Sequence, residues 1–416
     1  MYLNRDIENL LVESSKNFCC ITIYGSRQVG KSTLVRKTFP NFNYVTLDDL
    51  DNLNLALNNP KLFLDNFQKP LIIDEIQRAP NLLPLIKIAI DEYKFNALNE
   101  NKDNELIFVL TGSNQFMLHK IVSESLAGRT ALLNLSSLSN SEIKKYDTKS
   151  LFNPDLSNLR SKHPEKYFRT RKEIFKDIFN GGMPEYVNTK VNRETFFDSY
   201  IQTYLQRDVS ELINPKNLTT FNAFIHYIAL RTASQIDYSD VANAIGVSSK
   251  TVKEWFSILE ASGIIVFLEP YMKNISNRII KTPKLYFMDT GLCAYLCGWP
   301  NSELLENGPM NGAFYETYVV SELVKNYYNN GIDPRKFIYY YRDRDQKEVD
   351  LIIDDIKGIY PIEIKKGINP VSTKKNFSFL SKYNKTILPG LILDSCESLR
   401  PIKEDMYYCP IAMIGL

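Results

Sequence analysis

The sequence predicts an α/β protein with a parallel sheet in its N-terminal part, then a helical and winged-helix segment, and then a second α/β domain. Three observations predict this fold class. Apolar strand patterns alternate with helix patterns from about Cys19 to Leu135, as in a parallel sheet covered by helices on both faces. A helix-turn-helix pattern begins near Asp237, and the last part of the chain combines a helix pattern with several strands. We therefore expect domains at residues 1–140, 141–230, 231–287 and 288–416.

The composition is that of an ordinary globular protein. Of the 416 residues, 44% are hydrophobic and 24% are charged, so a sizeable core is available and wholesale disorder is excluded. The net charge of +2 gives no global attraction for nucleic acid, so such binding would depend on local basic patches. The 6 cysteines form no CxxC pair and there are 3 histidines, which favours buried thiols over zinc sites or disulfides. No apolar run approaches ~18 residues and the first residues lack a signal-peptide core, so we expect a cytoplasmic protein with no membrane segment.

A glycine-containing loop lies between the first strand pattern, at 21–24, and a helix pattern that starts near residue 34. Its glycines let the backbone curl so that successive N–H groups and the helix N-terminus point at one polyphosphate. In such a loop Lys31 reaches the outer phosphates, and the hydroxyl of Ser32 is a ligand of Mg²⁺. The sequence therefore predicts a nucleoside triphosphate site, with ATP and Mg²⁺ as cofactors. The residues predicted to form this site are Gly25, Ser26, Arg27, Gln28, Val29, Gly30, Lys31, Ser32 and Thr33.

Two further strand patterns end in polar residues that suit the same chemistry. The strand at 70–73 is followed by Asp74 and Glu75. We expect Asp74 to hold Mg²⁺ and Glu75 to orient and polarise the attacking water. The strand at 106–111 is followed by Gly112, Ser113 and Asn114. Asn114 is a candidate for contact with the γ-phosphate or the lytic water, and a helix cap is the alternative interpretation.

Two arginines are candidates for stabilising charge on the transferred phosphoryl group. They are Arg129, in the stretch 126–130, and Arg207, in the stretch 204–208. An arginine of this kind can be supplied in trans by a neighbouring subunit. The sequence does not choose between them, and an ion pair with Asp208 or Glu211 explains Arg207 equally well.

The stretch 237–259 has the pattern of a helix-turn-helix, with Gly246 in the turn and Ser248 or Ser249 as the cap of the second helix. That helix offers Lys250 and Lys253 beside two acidic residues, which is few cations for a helix that reads DNA. The stretch 273–284 beyond it contains no acidic residue, so it is expected either to contact DNA phosphates or to form a solvated or subunit-facing surface. Its cations are Lys273, Arg278, Lys281 and Lys284.

The C-terminal part carries a second set of reactive side chains. Strand patterns at 348–353 and 361–366 contain Asp350 and the pair Glu363 and Lys365, which share one face because strand side chains alternate. A hairpin would bring Asp350 beside Glu363, so that the two acids hold Mg²⁺ while Lys365 positions or deprotonates water for phosphodiester cleavage. Solvated residues on an edge strand, with Lys365 as a gatekeeper, explain the same spacing. A helix pattern with Glu316 comes first, and this order favours a restriction-endonuclease-like core with Glu316 as a further metal ligand.

Seven stretches match the motifs of one family: GSRQVGKS (25–32), LAGR (126–129), GGMPE (181–185), YLQRDV (204–209), PKLYFMDTGL (283–292), EVD (348–350) and IEIK (362–365). With them the chain resembles bacterial and archaeal AAA-type ATPases that carry a C-terminal domain of the PD-(D/E)xK nuclease superfamily. The resemblance covers nearly the whole length. It implies the order ATPase, helical segment, winged helix and nuclease-like domain, with an ATPase related to ring-forming proteins.

Two hypotheses follow. In the first, ATP hydrolysis controls a C-terminal Mg²⁺-dependent nuclease that acts on DNA, and the winged helix positions the substrate. In the second, the ATPase drives assembly of a homo-oligomer such as a ring, and the winged helix and nuclease-like fold bind partners without cleaving DNA. The complete C-terminal set of acids and lysine favours the first hypothesis. The small number of cations on the second helix of the helix-turn-helix favours the second.

Overall fold

The computed structural model of the chain describes residues 2–103, 105–113, 122, 124–147, 150–189, 191–205, 218–272, 282–367 and 377–416. The chain divides into two units. The first consists of 1–138 with the short segments 261–263 and 328–331, and the second consists of 139–260, 264–327 and 332–416. The second unit therefore contains the three predicted segments 141–230, 231–287 and 288–416 almost entirely. The boundaries at 230 and 287 remain predictions.

The first unit is built on a five-stranded sheet in the order β2-β3-β4-β1-β5. Every pair of neighbours is parallel, which confirms the predicted parallel sheet. The carboxyl ends of parallel strands meet at one edge, so the loop after β1 and the polar residues after β3 and β4 lie near one another. The strands are β1 (Cys20–Tyr24), β2 (Asn43–Thr46), β3 (Leu71–Asp74), β4 (Phe108–Gly112) and β5 (Thr130–Asn134).

Helices cover both faces of this sheet. Successive strand residues alternate between two hydrophobic clusters, with Ile73 and Phe108 in one and Ile72 and Val109 in the other, because strand side chains have a period of two. One face is covered by the helices Leu50–Asn58, Pro60–Asn66 and Leu83–Asn99, and the other by Glu8–Asn17 and Lys31–Thr38.

The second unit is rich in helices. Two of them begin with a capping box, in which Ser139 pairs with Glu142 and Thr170 pairs with Glu173. No helix in the described part of the chain is long and apolar enough to span a membrane. The described helices that lie wholly or mostly in the second unit are Asn140–Ile143, Leu156–Arg160, Arg171–Asn180, Pro184–Asn188, Arg193–Tyr200, Leu218–Ala229, Tyr238–Ile245, Ser249–Ala261, Thr290–Leu296, Ser302–Asn307 and Asn311–Asn329.

The predicted pair of helices at 237–259 is present, together with a small antiparallel sheet. Gly246 ends the first helix at φ 73, a left-handed conformation that glycine adopts without strain. The hydroxyl of Ser248 accepts a hydrogen bond of 3.1 Å from the amide of Thr251, so Ser248 caps the second helix. The strands are β6 (Ser234–Gln235), β7 (Ile265–Leu268) and β8 (Lys284–Phe287), in the order β6-β8-β7.

A six-stranded sheet forms the C-terminal part of the second unit, in the order β13-β14-β12-β11-β10-β9. Strands β9, β10 and β11 are antiparallel neighbours, whereas β12 is parallel to both β11 and β14. The predicted hairpin between the two acidic strands is therefore confirmed as β10 and β11. The strands are β9 (Ile338–Arg342), β10 (Glu348–Asp354), β11 (Ile359–Ile364), β12 (Gly390–Asp394), β13 (Arg400–Lys403) and β14 (Met406–Pro410).

The GGMPE and MDTGL motifs lie against each other. The amide of Gly182 donates a hydrogen bond of 2.9 Å to Oδ2 of Asp289. A Cβ atom at Gly181, where φ is 70, would lie 2.3 Å from Oδ1 of Asp289, and one at Gly291 would lie 2.4 Å from the carbonyl oxygen of Asn180. Both contacts are too short for any side chain. The two motifs therefore have a structural role, because their glycines let the ends of two helices pack closely.

Candidate nucleotide site and C-terminal acidic site

The phosphate-binding loop follows β1 and leads into the helix Lys31–Thr38. Its first glycine is required, because a Cβ atom at Gly25 would lie 1.9 Å from the carbonyl oxygen of Leu135. Gly30, directly before the helix, has a φ of 90, which again suits glycine. The ammonium of Lys31 donates hydrogen bonds to the carbonyl oxygens of Gly25 at 3.0 Å and Ser26 at 2.8 Å. The loop therefore curls around the lysine that the sequence assigns to phosphate binding.

Asp74, the last residue of β3, lies beside this loop. Its Oδ2 accepts hydrogen bonds from Oγ of Ser32 at 2.8 Å and from the hydroxyl of Tyr44 at 2.7 Å, and its Oδ1 accepts one from Thr111. Burial and the bond to Asp74 raise the pKa of Tyr44 well above its ordinary value, so this hydroxyl stays a donor. The structure thus brings together Ser32 and Asp74, the two predicted Mg²⁺ ligands.

Glu75 is held by the neighbouring strand. Its Oε2 accepts hydrogen bonds from the amide of Ser113 at 3.2 Å, from Oγ of Ser113 at 3.1 Å and from the side chain of Gln77. Its backbone is left-handed, with φ 58 and ψ 46, a conformation that costs a non-glycine residue ~1–3 kcal/mol. Strain of that size persists only where the surroundings impose it. The carboxylate therefore has a defined position next to the predicted metal ligands.

Arg5 is a residue of this site that the sequence analysis missed. Its guanidinium donates hydrogen bonds of 2.7 Å to the carbonyl oxygen of Val29, inside the loop, and of 2.7 Å to that of Ser136. It is only 5% exposed. These partners lie 24 and 131 residues away in the chain, and no short sequence pattern predicts the contacts. Arg5 therefore fixes the loop backbone to the end of the sheet.

The candidate arginines have different outcomes. Nε and one terminal nitrogen of Arg129 donate to the two carboxylate oxygens of Asp91 at 2.6 and 2.9 Å. Its side chain is 29% exposed, so the pair lies at the surface of the first unit. The structure gives Arg129 a partner within its own unit. Arg207 and Asn114 lie outside the described residues.

The C-terminal acids meet as predicted. Leu351 on β10 and Ile362 on β11 are partners in the antiparallel ladder. Asp350 comes one residue before Leu351 and Glu363 one residue after Ile362, so the two acids lie opposite each other. The ammonium of Lys365 lies 3.2 Å from Oδ2 of Asp350 and 3.0 Å from Oε2 of Glu363. Burial acts to lower the pKa of Lys365, but the two carboxylates raise it above its ordinary value, so the ammonium stays charged.

Glu316 has a different partner. Its Oε1 accepts hydrogen bonds from the ammonium of Lys284 at 3.0 Å and from the hydroxyl of Tyr286 at 2.7 Å. The same ammonium lies 2.6 Å from Oε1 of Glu348. Burial acts to lower the pKa of Lys284, but Glu316 and Glu348 raise it well above its ordinary value. Lys284 is buried and its two partners are partly buried, and one of them, Glu348, lies on β10, the strand that carries Asp350.

These ion pairs correct one prediction. We expected Lys284 to be a surface cation of the basic stretch 273–284, but it is 3% exposed and paired with two carboxylates. It is turned inward because every residue of β8 is buried within the three-stranded sheet. Lys284 is therefore not available to a DNA phosphate. Lys273, Arg278 and Lys281 lie outside the described residues.

The acids fit a divalent ion only in part. Among the described residues, no group of three or more His, Cys, Asp and Glu side chains is placed to hold a metal ion. Glu316, the third expected ligand, is instead paired with Lys284. The pair of Asp350 and Glu363 does suit Mg²⁺, which usually keeps several waters and binds one or two carboxylates. The structure therefore brings together two of the three expected acids.

Comparisons with known protein families divide the chain into three parts. A family described as AAA domain matches residues 17–144. Two families described as domains of unknown function, DUF8612 and DUF4143, match residues 171–303 and 311–414. The match at 17–144 contains the loop, Asp74 and Glu75. The N-terminal part is thus an AAA domain of the P-loop ATPase type, whereas the other two matches name no activity.

The relatives found by sequence are uncharacterized proteins. One from Mycobacterium tuberculosis is 26% identical over 355 residues, which is 84% of this chain and 71% of the relative. One from Methanocaldococcus jannaschii is 24% identical over 307 residues, and the match spans 69% of this chain and 63% of that protein. These relatives add no function of their own.

The solved structures found by shape are distant. The Walker-type ATPase of Pyrococcus abyssi is 14% identical with a TM-score of 0.43, covering 71% of this chain and 96% of that one. AMPPCP-bound DnaA of Aquifex aeolicus is 14% identical with a TM-score of 0.26, covering 61% of this chain and 85% of that one. Similarity at this level carries no argument about DNA or assembly.

Proposed function

We propose that the chain is an AAA-type ATPase whose ATP hydrolysis controls metal-dependent cleavage of DNA at the C-terminal acidic site. The match of residues 17–144 to an AAA domain supports the ATPase. The single observation that carries the first half is the hydrogen bond of 2.8 Å from Ser32 to Asp74. The observation that carries the second is the position of Lys365 between Asp350 and Glu363.

At the nucleotide site, each residue has a role that its position supports. The loop amides and Lys31 bind and orient the phosphates, as in other loops of this type. Ser32 and Asp74 would hold Mg²⁺, which neutralises charge on the phosphates when it is bound. Glu75, kept in place by Ser113, orients the attacking water and accepts its proton.

At the C-terminal site, Asp350 and Glu363 would hold a divalent ion, which polarises the scissile phosphate and a water when it is bound. Lys365 is then left to orient that water and to stabilise negative charge on the phosphate. The helix Asn311–Asn329 and strands β9 to β12 follow one another in the order expected of a restriction-endonuclease-like core, and this supports the assignment.

DNA is proposed as the substrate on the basis of the helical segment. We infer a winged helix from the helices Tyr238–Ile245 and Ser249–Ala261 and the sheet of β6, β7 and β8, because a helix pair beside a small antiparallel sheet suits that motif. Lys250 and Lys253, on the second helix, are both exposed and could contact phosphates. Contacts of this kind position a duplex without reading its sequence.

The second candidate function is an ATP-driven switch whose C-terminal fold binds partners. It is favoured by the two lysines, Lys284 and Lys365, which already neutralise carboxylates in the acidic site. Such ion pairs are a stable arrangement without any metal. In this case the chain would hydrolyse ATP and assemble, and the acidic site would be structural.

One experiment separates the two functions. Purified protein is incubated with supercoiled plasmid and with short duplexes, with Mg²⁺ or Mn²⁺, and with or without ATP. Asp350→Ala should abolish cleavage and leave ATP hydrolysis intact, because the nucleotide site is in the other unit. Asp405→Ala, an exposed aspartate beside β14, is the matched control and should cleave like the wild type. No cleavage by the wild type under any condition would leave the switch.

A further inference from the structure

We propose that Lys284 is an internal cation that keeps Glu316 out of the C-terminal metal site, so that a divalent ion binds Asp350 and Glu363 without Glu316. The inference rests on the proposed metal site and goes beyond it, because it assigns a role to a residue outside the acid and lysine motif. Lys284 is a positioning residue in this account, since it acts through Glu316.

Lys284 is placed as a counter-ion for two carboxylates. Its ammonium lies 3.0 Å from Glu316 and 2.6 Å from Glu348, and the residue is 3% exposed. Tyr286 is two residues further along β8 and donates its hydroxyl to the same oxygen of Glu316, as expected for side chains on one face of a strand. Two groups from β8 therefore hold one carboxylate.

The lysine also connects three elements of the second unit. It lies on β8 of the small sheet, Glu316 lies on the helix Asn311–Asn329, and Glu348 lies on β10 of the large sheet. Because β10 also carries Asp350, the ammonium sits beside the proposed metal site. The segment proposed to contact DNA thus supplies a cation to the acidic site through β8.

Among the described side chains at this place, carboxylates outnumber cations by four to three. Four carboxylates, Glu316, Glu348, Asp350 and Glu363, are contacted by two ammonium groups and by Arg342, whose guanidinium lies 3.8 Å from Glu348. A buried carboxylate that loses its partner is strongly unfavourable. Removal of Lys284 should therefore make the cluster a better ligand for a metal ion, since Glu316 must find another cation.

The test measures Mn²⁺ affinity of the nucleotide-free full-length chain from the electron paramagnetic resonance signal of free Mn²⁺, and thermal unfolding with and without Mn²⁺. Lys284→Met keeps the length of the side chain and removes its charge. We expect this variant to bind Mn²⁺ about tenfold more tightly than the wild type, as the loss of one nearby positive charge allows. Its unfolding temperature should fall without Mn²⁺ and recover with it.

Two controls test whether the gain in Mn²⁺ affinity comes from the release of Glu316. Lys325→Met removes another buried lysine, which is 4% exposed and lies 3.0 Å from Glu322, and it should leave the Mn²⁺ affinity unchanged. Adding Glu316→Gln to Lys284→Met should remove the gain in affinity, because the gain depends on the released carboxylate. Glu316→Gln alone should leave the affinity of the wild type unchanged, and this single variant tests the inference even if Lys284→Met does not fold.

Equal Mn²⁺ affinity in Lys284→Met and the wild type would overturn the inference, and so would weaker binding by Glu316→Gln alone. If either result were found and Asp350→Ala still abolished Mn²⁺ binding, the proposed metal site would stand and only the role of Lys284 would be wrong. If neither the wild type nor Lys284→Met bound Mn²⁺ in a manner that depends on Asp350, both the inference and the proposed nuclease would be wrong.

Discussion

The hydroxyl of Ser113 donates a hydrogen bond of 3.1 Å to the carboxylate of Glu75. The two residues follow β4 and β3, which are parallel neighbours in the sheet. Ser113, at the end of β4, therefore sets the direction of the Glu75 carboxylate at the end of β3. This relation ties the proposed catalytic base to the fold, because any shift between β3 and β4 would move Glu75.

Glu75→Gln should separate ATP binding from hydrolysis. The amide keeps the size of the side chain but cannot accept a proton from water, so phosphate release should fall by about 10²–10⁴-fold. ATP affinity, measured with a fluorescent analogue, should stay at the wild-type value because Asp74 and the loop are intact. Wild-type turnover in this variant would remove Glu75 from the catalytic role.

Ser113→Ala should lower kcat with little change in KM. The alanine removes the hydroxyl contact to Glu75 and leaves the amide contact of 3.2 Å, so the carboxylate is less well oriented. We expect a fall in kcat of about tenfold, smaller than that of Glu75→Gln. A rise in KM with an unchanged kcat would instead place Ser113 in nucleotide binding.

Arg5→Met should weaken ATP binding, because it removes the hydrogen bonds to Val29 and Ser136 that tie the loop backbone to the end of the sheet. Each charge-assisted bond is worth ~1.5–3 kcal/mol, and we expect an affinity about tenfold lower. Arg5→Lys should restore part of it, whereas Lys16→Met, an exposed residue of the helix Glu8–Asn17, should behave like the wild type. Unchanged affinity in a folded Arg5→Met protein would make the contact irrelevant to the nucleotide.

Gly291→Ala should destabilise the second unit. The new methyl group would lie 2.4 Å from the carbonyl oxygen of Asn180, so the two helix ends must move apart at a cost of ~1–3 kcal/mol. Gly312→Ala is the matched control, because nothing lies within 4 Å of a Cβ atom there and alanine is the better helix former. Equal unfolding temperatures for the two variants, measured by calorimetry, would contradict this packing.

A trans role for Arg129 can be distinguished from a structural one. If the arginine acts on the nucleotide of a neighbouring subunit, Arg129→Ala should lower turnover without loss of ATP affinity, and turnover per subunit should rise with protein concentration. Asp91→Ala should then preserve turnover, because it releases the arginine. Equal effects of Arg129→Ala and Asp91→Ala on stability, with no effect on turnover, would show that the ion pair is structural.

The sequence predicted the parts of the two sites that lie in local motifs. The loop, the residues after β3 and the hairpin of Asp350 and Glu363 depend on strand patterns that can be read over a few residues. Arg5 and Tyr44 were missed because their partners are distant in the chain and no short pattern links them. Lys284 was misread because a cation in a basic stretch is usually solvated, and only the burial of β8 shows otherwise.

The most direct test of the account is whether ATP turnover controls DNA cleavage. Plasmid nicking is followed with Mn²⁺ for the wild type, Glu75→Gln and Asp350→Ala, with and without ATP, while phosphate release is measured in the same samples. We predict that ATP changes the cleavage rate of the wild type, that Glu75→Gln does not reproduce this change, and that Asp350→Ala hydrolyses ATP without cutting DNA. Cleavage that is identical with and without ATP, or that survives Asp350→Ala, would contradict the account.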